Sequence, residues 1–194
     1  MVLPIGEFIL FSAALIGWTE QSGYRHRLYG LLLAWIGGSV LEGLFLPSVI
    51  WHWNWARLAV MLLFWLWVRR QAHRRFLPLL LTGTALIVQD IFLLNEPGVI
   101  AGDQLIFSLA AVLVASLTAG GYWEMLAAVA GAWFFNQLAI GLIYIGTDVI
   151  NYTEIPDAFA WHFEAAVCSA AALFRATAVK MKKTRTEKTQ EEKD

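Results

Sequence analysis

Long apolar segments follow one another along the whole chain, and nearly all Lys and Arg residues fall in every second gap between them. A hydrocarbon core about 30 Å thick needs roughly 20 mostly apolar residues per helix. Seven apolar segments approach or reach this length, at residues 3–18, 28–46, 53–68, 76–94, 103–119, 122–145 and 156–179. The pattern predicts an all-α, polytopic transmembrane helical bundle over residues 1–179.

The two ends of the chain are less regular than the rest. Segment 3–18 is short and lacks the basic n-region and clear cleavage site of a secretory signal, so we interpret it as a span. Residues 180–194 alternate basic and acidic side chains without apolar periodicity. They predict a charged cytoplasmic tail, solvated and frayed or disordered, whose first turns continue the seventh helix.

Composition supports a membrane protein over a soluble one. The chain is 59% hydrophobic and 15% charged, whereas soluble domains are about half apolar and about a quarter charged. A length of 194 residues leaves no room for a second soluble domain. The single cysteine, Cys168, excludes a disulfide within one chain and lies in an Ala-rich stretch, where we expect it to be a packing residue.

The basic residues also indicate the orientation. The first gap, the third gap and the C-terminal end are basic, and the opposite side carries Arg57 alone beside acidic loops. Lys and Arg concentrate on the cytoplasmic side of membrane proteins. The chain is therefore expected to be N-out and C-in, multi-pass, in a plasma membrane of the bacterial type. The residues that carry this argument before the tail are Arg25, Arg27, Arg69, Arg70, Arg74 and Arg75.

Aromatic and small residues predict how the helices are anchored and packed. Trp51, Trp53 and Trp55 fall at the outer end of the third span, where an aromatic belt is expected, although the same run is compatible with ligand stacking. Small residues such as Ala127 and Gly131 in the sixth span, and the Ala-rich seventh span, predict close approach of helix backbones.

Four ionisable side chains in three different spans fall in the outer half of the predicted bundle: Glu42, Asp90, His162 and Glu164. Buried ionisable groups usually face the bundle interior or a water-filled cavity. They predict an outward-facing pocket that binds an ion or polar solute. The alternative is that each group reaches the interface or a neighbouring helix on its own.

Other polar residues have simpler explanations. Asn136 and Gln137 in the sixth span are expected to hydrogen-bond between helices, and Glu124 suits the start of its helix. Glu7 and Arg57 are close enough to helix ends to reach the interface. His162 and Glu164 are two residues apart and do not share a helix face, so a metal site that uses both is not expected. No spaced metal-ligand motif occurs in the sequence, and no cofactor is predicted.

The sequence contains no G-x-S-x-G motif and one aspartate within a span, Asp90, so an enzyme is left without an identified nucleophile or metal. The primary hypothesis is a non-enzymatic accessory or interaction subunit. The alternative is a small-solute or ion transporter, or its substrate-binding subunit, that uses the outer polar residues. The expected partners are the lipid bilayer and a membrane protein or second copy, with no nucleic acid.

Two local motifs carry a family resemblance. The run DIFLLNEPGV at 90–99 and the turn GGYWE at 120–124 resemble the small YphA-type polytopic membrane proteins of Gram-positive spore formers. This resemblance implies membrane residence and no assigned activity. The length is also similar to the substrate-binding membrane subunits of energy-coupling-factor vitamin transporters, but those usually have six helices.

Overall fold

The structure, a computed structural model, describes residues 4–21, 23–44, 52–73, 76–95, 102–146 and 154–191. Within these residues it contains seven helices, and each overlaps one of the predicted apolar segments. The prediction of an all-α protein is therefore confirmed. The helices are α1 (Ile5–Thr19), α2 (Arg25–Leu44), α3 (Trp55–Arg69), α4 (Leu77–Asn95), α5 (Asp103–Thr118), α6 (Tyr122–Gly146) and α7 (Ala158–Glu191).

A two-residue parallel strand pair was not predicted. Strand β1 (His52–Trp53) pairs with β2 (Glu154–Ile155), with His52 opposite Glu154 and Trp53 opposite Ile155. The backbone N–H of Asn54 extends the pairing by donating to the carbonyl of Ile155 at 2.7 Å. The pair holds the start of α3 beside the start of α7.

Helices α1 and α3 begin at one end of the bundle, and α2 and α6 begin at the other, as side-chain contacts at the two ends show. At one end, here called the strand end, Glu7 near the start of α1 meets Arg57 near the start of α3. At the other end, here called the basic end, Arg27 at the start of α2 lies over Trp67 at the end of α3. The basic end also holds Arg175 of α7, which lies over Tyr122 at the start of α6.

Helix α6 is the central element, because nearly all of its faces are buried. Gly131 on α6 is covered by the side chains of Trp65 from α3 and Leu79 from α4, and a Cβ at this position would overlap both. The small residues of α6 thus accept bulky side chains from two neighbours, and α6 becomes the axis of the core.

Helix α7 continues well past the predicted boundary at residue 180. Its backbone is helical to Glu191, where the sequence predicted a frayed or disordered tail. The helix therefore extends further into the charged tail than the first turns that the sequence predicted. Residues 192–194, like Trp51, Arg74 and Arg75, lie outside the described part of the chain.

Helix length gives limited support for membrane spans. Among the described residues, one helix, Tyr122–Gly146, is both long enough and apolar enough to cross a membrane. It is largely buried inside the bundle, as the core helix of a soluble protein would be. Three further helical stretches are apolar but shorter: Ile5–Thr19, Leu77–Leu93 and Asp103–Thr118.

Candidate functional site

Glu42 contacts the start of a neighbouring helix. Its Oε1 accepts a hydrogen bond from the backbone N–H of Ala56 at 3.0 Å, while Asn54 Oδ1 accepts from the N–H of Arg57 at 3.0 Å. The first N–H groups of a helix have no partner within the helix and need acceptors from outside it. Glu42 and Asn54 together satisfy two of these groups at the start of α3. The geometry thus supports the interpretation that Glu42 serves a neighbouring helix.

Asp90 contacts a different helix. Its Oδ2 accepts a hydrogen bond from the Asn136 side-chain amide at 2.6 Å, which joins α4 to α6. The next residue, Gln137, accepts a hydrogen bond from the backbone N–H of Asp157 at 3.2 Å. Both amides of α6 therefore bond to other elements, as expected for interhelical polar contacts.

A charged cluster that the sequence did not predict lies at the strand end. The Arg57 guanidinium donates to Glu154 Oε1 at 2.5 Å and to the carbonyl of Pro156 at 3.2 Å. Its Nε lies 3.6 Å from Glu7 Oε1. Arg57, Glu7 and Glu154, here called the Arg57 cluster, tie α1, α3 and β2 together. Sequence reasoning missed the cluster because Glu154 lies 97 residues from Arg57 along the chain.

His162 lies beside this cluster. The backbone N–H of Gly6 donates to His162 Nδ1 at 3.0 Å, and Glu7 Oε2 lies 3.8 Å from the same nitrogen. Because Nδ1 accepts from Gly6, it carries no proton to donate to Glu7, and the contact with Glu7 is not a hydrogen bond. His162 is thus a neutral imidazole whose Nδ1 accepts a hydrogen bond, and this bond connects α7 to the first turn of α1.

Glu164 is the most deeply buried of the four predicted site residues, with 3% of its surface exposed. Within the described residues, its Oε2 has no hydrogen-bond partner. No hydrogen bond or ion pair in this part of the chain joins any two of Glu42, Asp90, His162 and Glu164. The structure therefore places the four in separate surroundings, and their role in binding an ion or ligand stays a prediction.

Glu164 lines a cavity of about 470 Å³ between α1, α2, α3, α6 and α7. Typical sites for small molecules occupy about 300–1,000 Å³ and are mostly apolar with a few polar groups. This cavity has that character, since apolar side chains such as Leu10, Leu31, Met61 and Phe64 form much of its wall. It extends from Gly6 and Trp161 near the strand end to Tyr24 and Arg175 at the basic end.

Small residues make up much of the cavity wall contributed by α7. Lining residues of α7 recur at intervals of three or four along one face, which follows the helical repeat. The sequence predicted that the small residues of α7 pack against another helix backbone. Along this face they instead border open space. Two contacts between α6 and α7 accompany it: Trp133 stacks on Phe163, and the Arg175 guanidinium lies over the Tyr122 ring. These small residues are Ala165, Cys168, Ser169, Ala172 and Ala176.

Those aromatic contacts are well defined. Trp133 of α6 stacks on Phe163 of α7 with ring centroids 5.5 Å apart. At the basic end, the Arg175 guanidinium lies 4.5 Å from the Tyr122 ring centroid and 4.8 Å from that of Trp123. The line along which α6 and α7 face each other, here called the α6–α7 seam, is thus bridged on either side of the cavity wall.

Metal binding finds no support among the described residues, since no three or more His, Cys, Asp or Glu side chains are grouped to hold an ion. No family model, curated protein or solved structure matches the chain. The resemblance to YphA-type membrane proteins therefore stays a prediction.

Proposed function

We propose that the chain is an integral membrane protein of seven membrane-crossing helices, N-out and C-in, in a plasma membrane of the bacterial type. We further propose that it acts as an accessory or interaction subunit without catalysis. The observation that carries the membrane placement is the distribution of apolar side chains: they cover the outside of the bundle while polar side chains are buried within it.

Large apolar side chains point outward from five helices and are 67–76% exposed: Phe8, Leu33, Leu117, Leu142 and Phe174. Exposed apolar surface is unfavourable in water by about 25 cal/mol per Å², and monomeric soluble proteins rarely present large contiguous apolar patches. A hydrocarbon environment removes this penalty. Conversely, the buried Asn136, Gln137 and Glu164 lie inside the bundle, where polar groups of a membrane protein are expected.

The charges at the two ends favour the proposed orientation. Of the described arginines, Arg25, Arg27, Arg69, Arg70 and Arg175 belong to the basic end, which we assign to the cytoplasm. Arg57 belongs to the strand end, where two carboxylates neutralise it.

Short helices have to be accommodated in this proposal. Helices α1 and α3 each contain 15 residues and span about 22 Å at 1.5 Å per residue. A hydrocarbon core of about 30 Å would thin locally around them. The Arg57 cluster supports such thinning, because its charges lie near the starts of both short helices and need a polar layer close by.

The contacts of the polar residues favour an accessory role over transport through an outer pocket. Glu42 and Asp90 are each used in a contact between helices. A second candidate function, a substrate-binding membrane subunit, is favoured by one observation: the cavity is lined by Glu164, whose Oε2 has no hydrogen-bond partner among the described residues.

Single-cysteine labelling tests the placement. Among the glycines with open space around the position of a Cβ, four lie near the helix ends: Gly23 and Gly121 at the basic end, and Gly43 and Gly146 at the strand end. Each is replaced by Cys in a Cys168→Ala background and treated with a membrane-impermeant maleimide. We expect Gly43→Cys and Gly146→Cys to react in intact cells or spheroplasts, and Gly23→Cys and Gly121→Cys to react only after permeabilisation.

Three other outcomes would each refute one part of the proposal. Release of the protein from membranes by an alkaline carbonate wash would refute integration. Labelling of all four sites from one side would refute the alternating spans, and labelling of Gly23→Cys and Gly121→Cys from outside would refute the orientation.

A further inference from the structure

We propose that the cavity between α1, α2, α3, α6 and α7 binds a lipophilic amine, whose ammonium group pairs with Glu164 and whose apolar chain extends along α7. The inference rests on the proposed membrane placement and names the ligand class of the binding-subunit candidate. Of the four residues of the predicted outer pocket, it uses Glu164 alone.

The first step concerns Glu164. A carboxylate without a partner in apolar surroundings is strongly unfavourable, and a cation that enters the same space offsets this penalty. Among the described residues, none provides Glu164 with a hydrogen bond or ion pair. The cavity therefore contains an acceptor that a bound ammonium group would satisfy.

The second step concerns Trp161, which lies three residues before Glu164 and also lines the cavity. Residues three apart are neighbours on a helix surface. A Trp ring is the best aromatic partner for a cation and attracts it within about 6 Å of the ring centroid. A carboxylate beside an indole is thus suited to an ammonium group and poorly suited to an anion.

The third step concerns the rest of the ligand. Glu164 and Arg175 both line the cavity and are 11 residues apart on α7, which corresponds to about 16 Å along the helix axis. The face between them consists of small, mostly apolar side chains. An elongated apolar chain fits this shape. Arg175 at the basic end repels a second cation there, so the ammonium group is expected at the Glu164 end.

The test uses the full-length protein in nanodiscs of phosphatidylcholine, with binding of dodecylamine measured by equilibrium dialysis against empty nanodiscs. Dodecanol and dodecanoic acid serve as ligands with the same chain and a different head group. Glu164→Gln removes the charge at constant volume, and Glu20→Gln removes an exposed carboxylate at the end of α1 as the matched control. Ala172→Phe fills the cavity beyond the head group.

We expect saturable binding of one dodecylamine per chain, weakened at least tenfold by Glu164→Gln and unchanged by Glu20→Gln. Ala172→Phe should also weaken it. Dodecanol should bind more weakly than the amine and depend less on Glu164. Thermal unfolding without ligand shows whether each variant is folded, and Glu164→Gln should unfold close to the wild-type temperature because it exchanges an unpartnered buried carboxyl for an amide of similar size.

Three results would overturn the ligand assignment: no saturable amine binding to the wild type, equal binding to Glu164→Gln, or a preference for dodecanoic acid. These failures are distinct from failure of the membrane placement. A chain that resists carbonate extraction and labels as expected but lacks Glu164-dependent amine binding refutes the ligand alone.

Discussion

The Asn136 side-chain amide donates to Asp90 Oδ2 at 2.6 Å and joins α4 to the central helix α6. Asn136 is buried and Asp90 is half-buried. Removing one partner of a hydrogen bond in such surroundings lowers stability mainly because the other polar group stays buried without a partner. That group then retains its full desolvation penalty. The pair is therefore a sensitive test of how α4 is held.

Replacing Asn136 with Leu should destabilise the protein by about 1–3 kcal/mol, since it leaves the Asp90 carboxyl without its donor. The double variant Asp90→Leu/Asn136→Leu should be closer to the wild type, because it leaves neither group unpaired. Unfolding in detergent or nanodiscs, followed by circular dichroism, measures all three. Additive effects of the two single substitutions would contradict a direct bond between the residues.

A substitution at Gly38 tests a close backbone approach between α2 and α3. A Cβ at Gly38 would overlap the backbone of Ala56, whereas a Cβ at Gly37 would meet nothing within 4 Å. Gly38→Ala should therefore destabilise the protein by about 1–3 kcal/mol through overpacking. Gly37→Ala, the matched control, should be neutral or stabilising by up to about 1 kcal/mol, because Ala is the better helix former. Equal unfolding temperatures for the two variants would show that α2 does not approach α3 as described.

Features of this structure are predictable from the sequence when the residues that determine them lie close together along the chain. The helices follow from local apolar content, so their positions were predictable. The strand pair, with His52 opposite Glu154, was not predictable because it joins residues 102 positions apart with only two residues per strand. Length and local composition contain no signal for such a pairing.

The polar residues illustrate the same limit. Their depth in the helices follows from the span boundaries, but their partners depend on how each helix is rotated. Glu42 faces the start of α3 and Glu164 faces the cavity. The small-residue face of α7 was visible in the sequence. Whether it meets a helix or a cavity depends on how the neighbouring helices pack, which local composition does not determine.

Arg57 tests the charged cluster at the strand end. Arg57→Met leaves Glu7 and Glu154 without their cation, and we expect a loss of about 1–3 kcal/mol in the free energy of unfolding. Arg70→Met removes an exposed arginine at the basic end and should change stability by less than about 0.5 kcal/mol. Arg57→Met combined with Glu154→Gln should recover part of the loss, because one carboxylate no longer needs a counter-charge. Equal losses for Arg57→Met and Arg70→Met would show that the cluster contributes little.

Arg175 tests whether the α6–α7 seam controls access to the cavity. Its guanidinium lies over Tyr122 and Trp123 and so bridges α7 to α6 at the basic end. Removing it loses a cation–π contact of about 0.5–2 kcal/mol, so the seam should open more often. Cys168, which lines the cavity and is the chain's single cysteine, reports the opening directly.

Arg175→Ala should increase the rate at which N-ethylmaleimide modifies Cys168 several-fold, and Arg70→Ala at the same end should leave that rate unchanged. Arg175→Lys should fall between them, since it keeps the charge but loses the planar stacking of the guanidinium. If the modification rates of all three variants match the wild type, Arg175 does not close the seam, and the cavity is entered elsewhere.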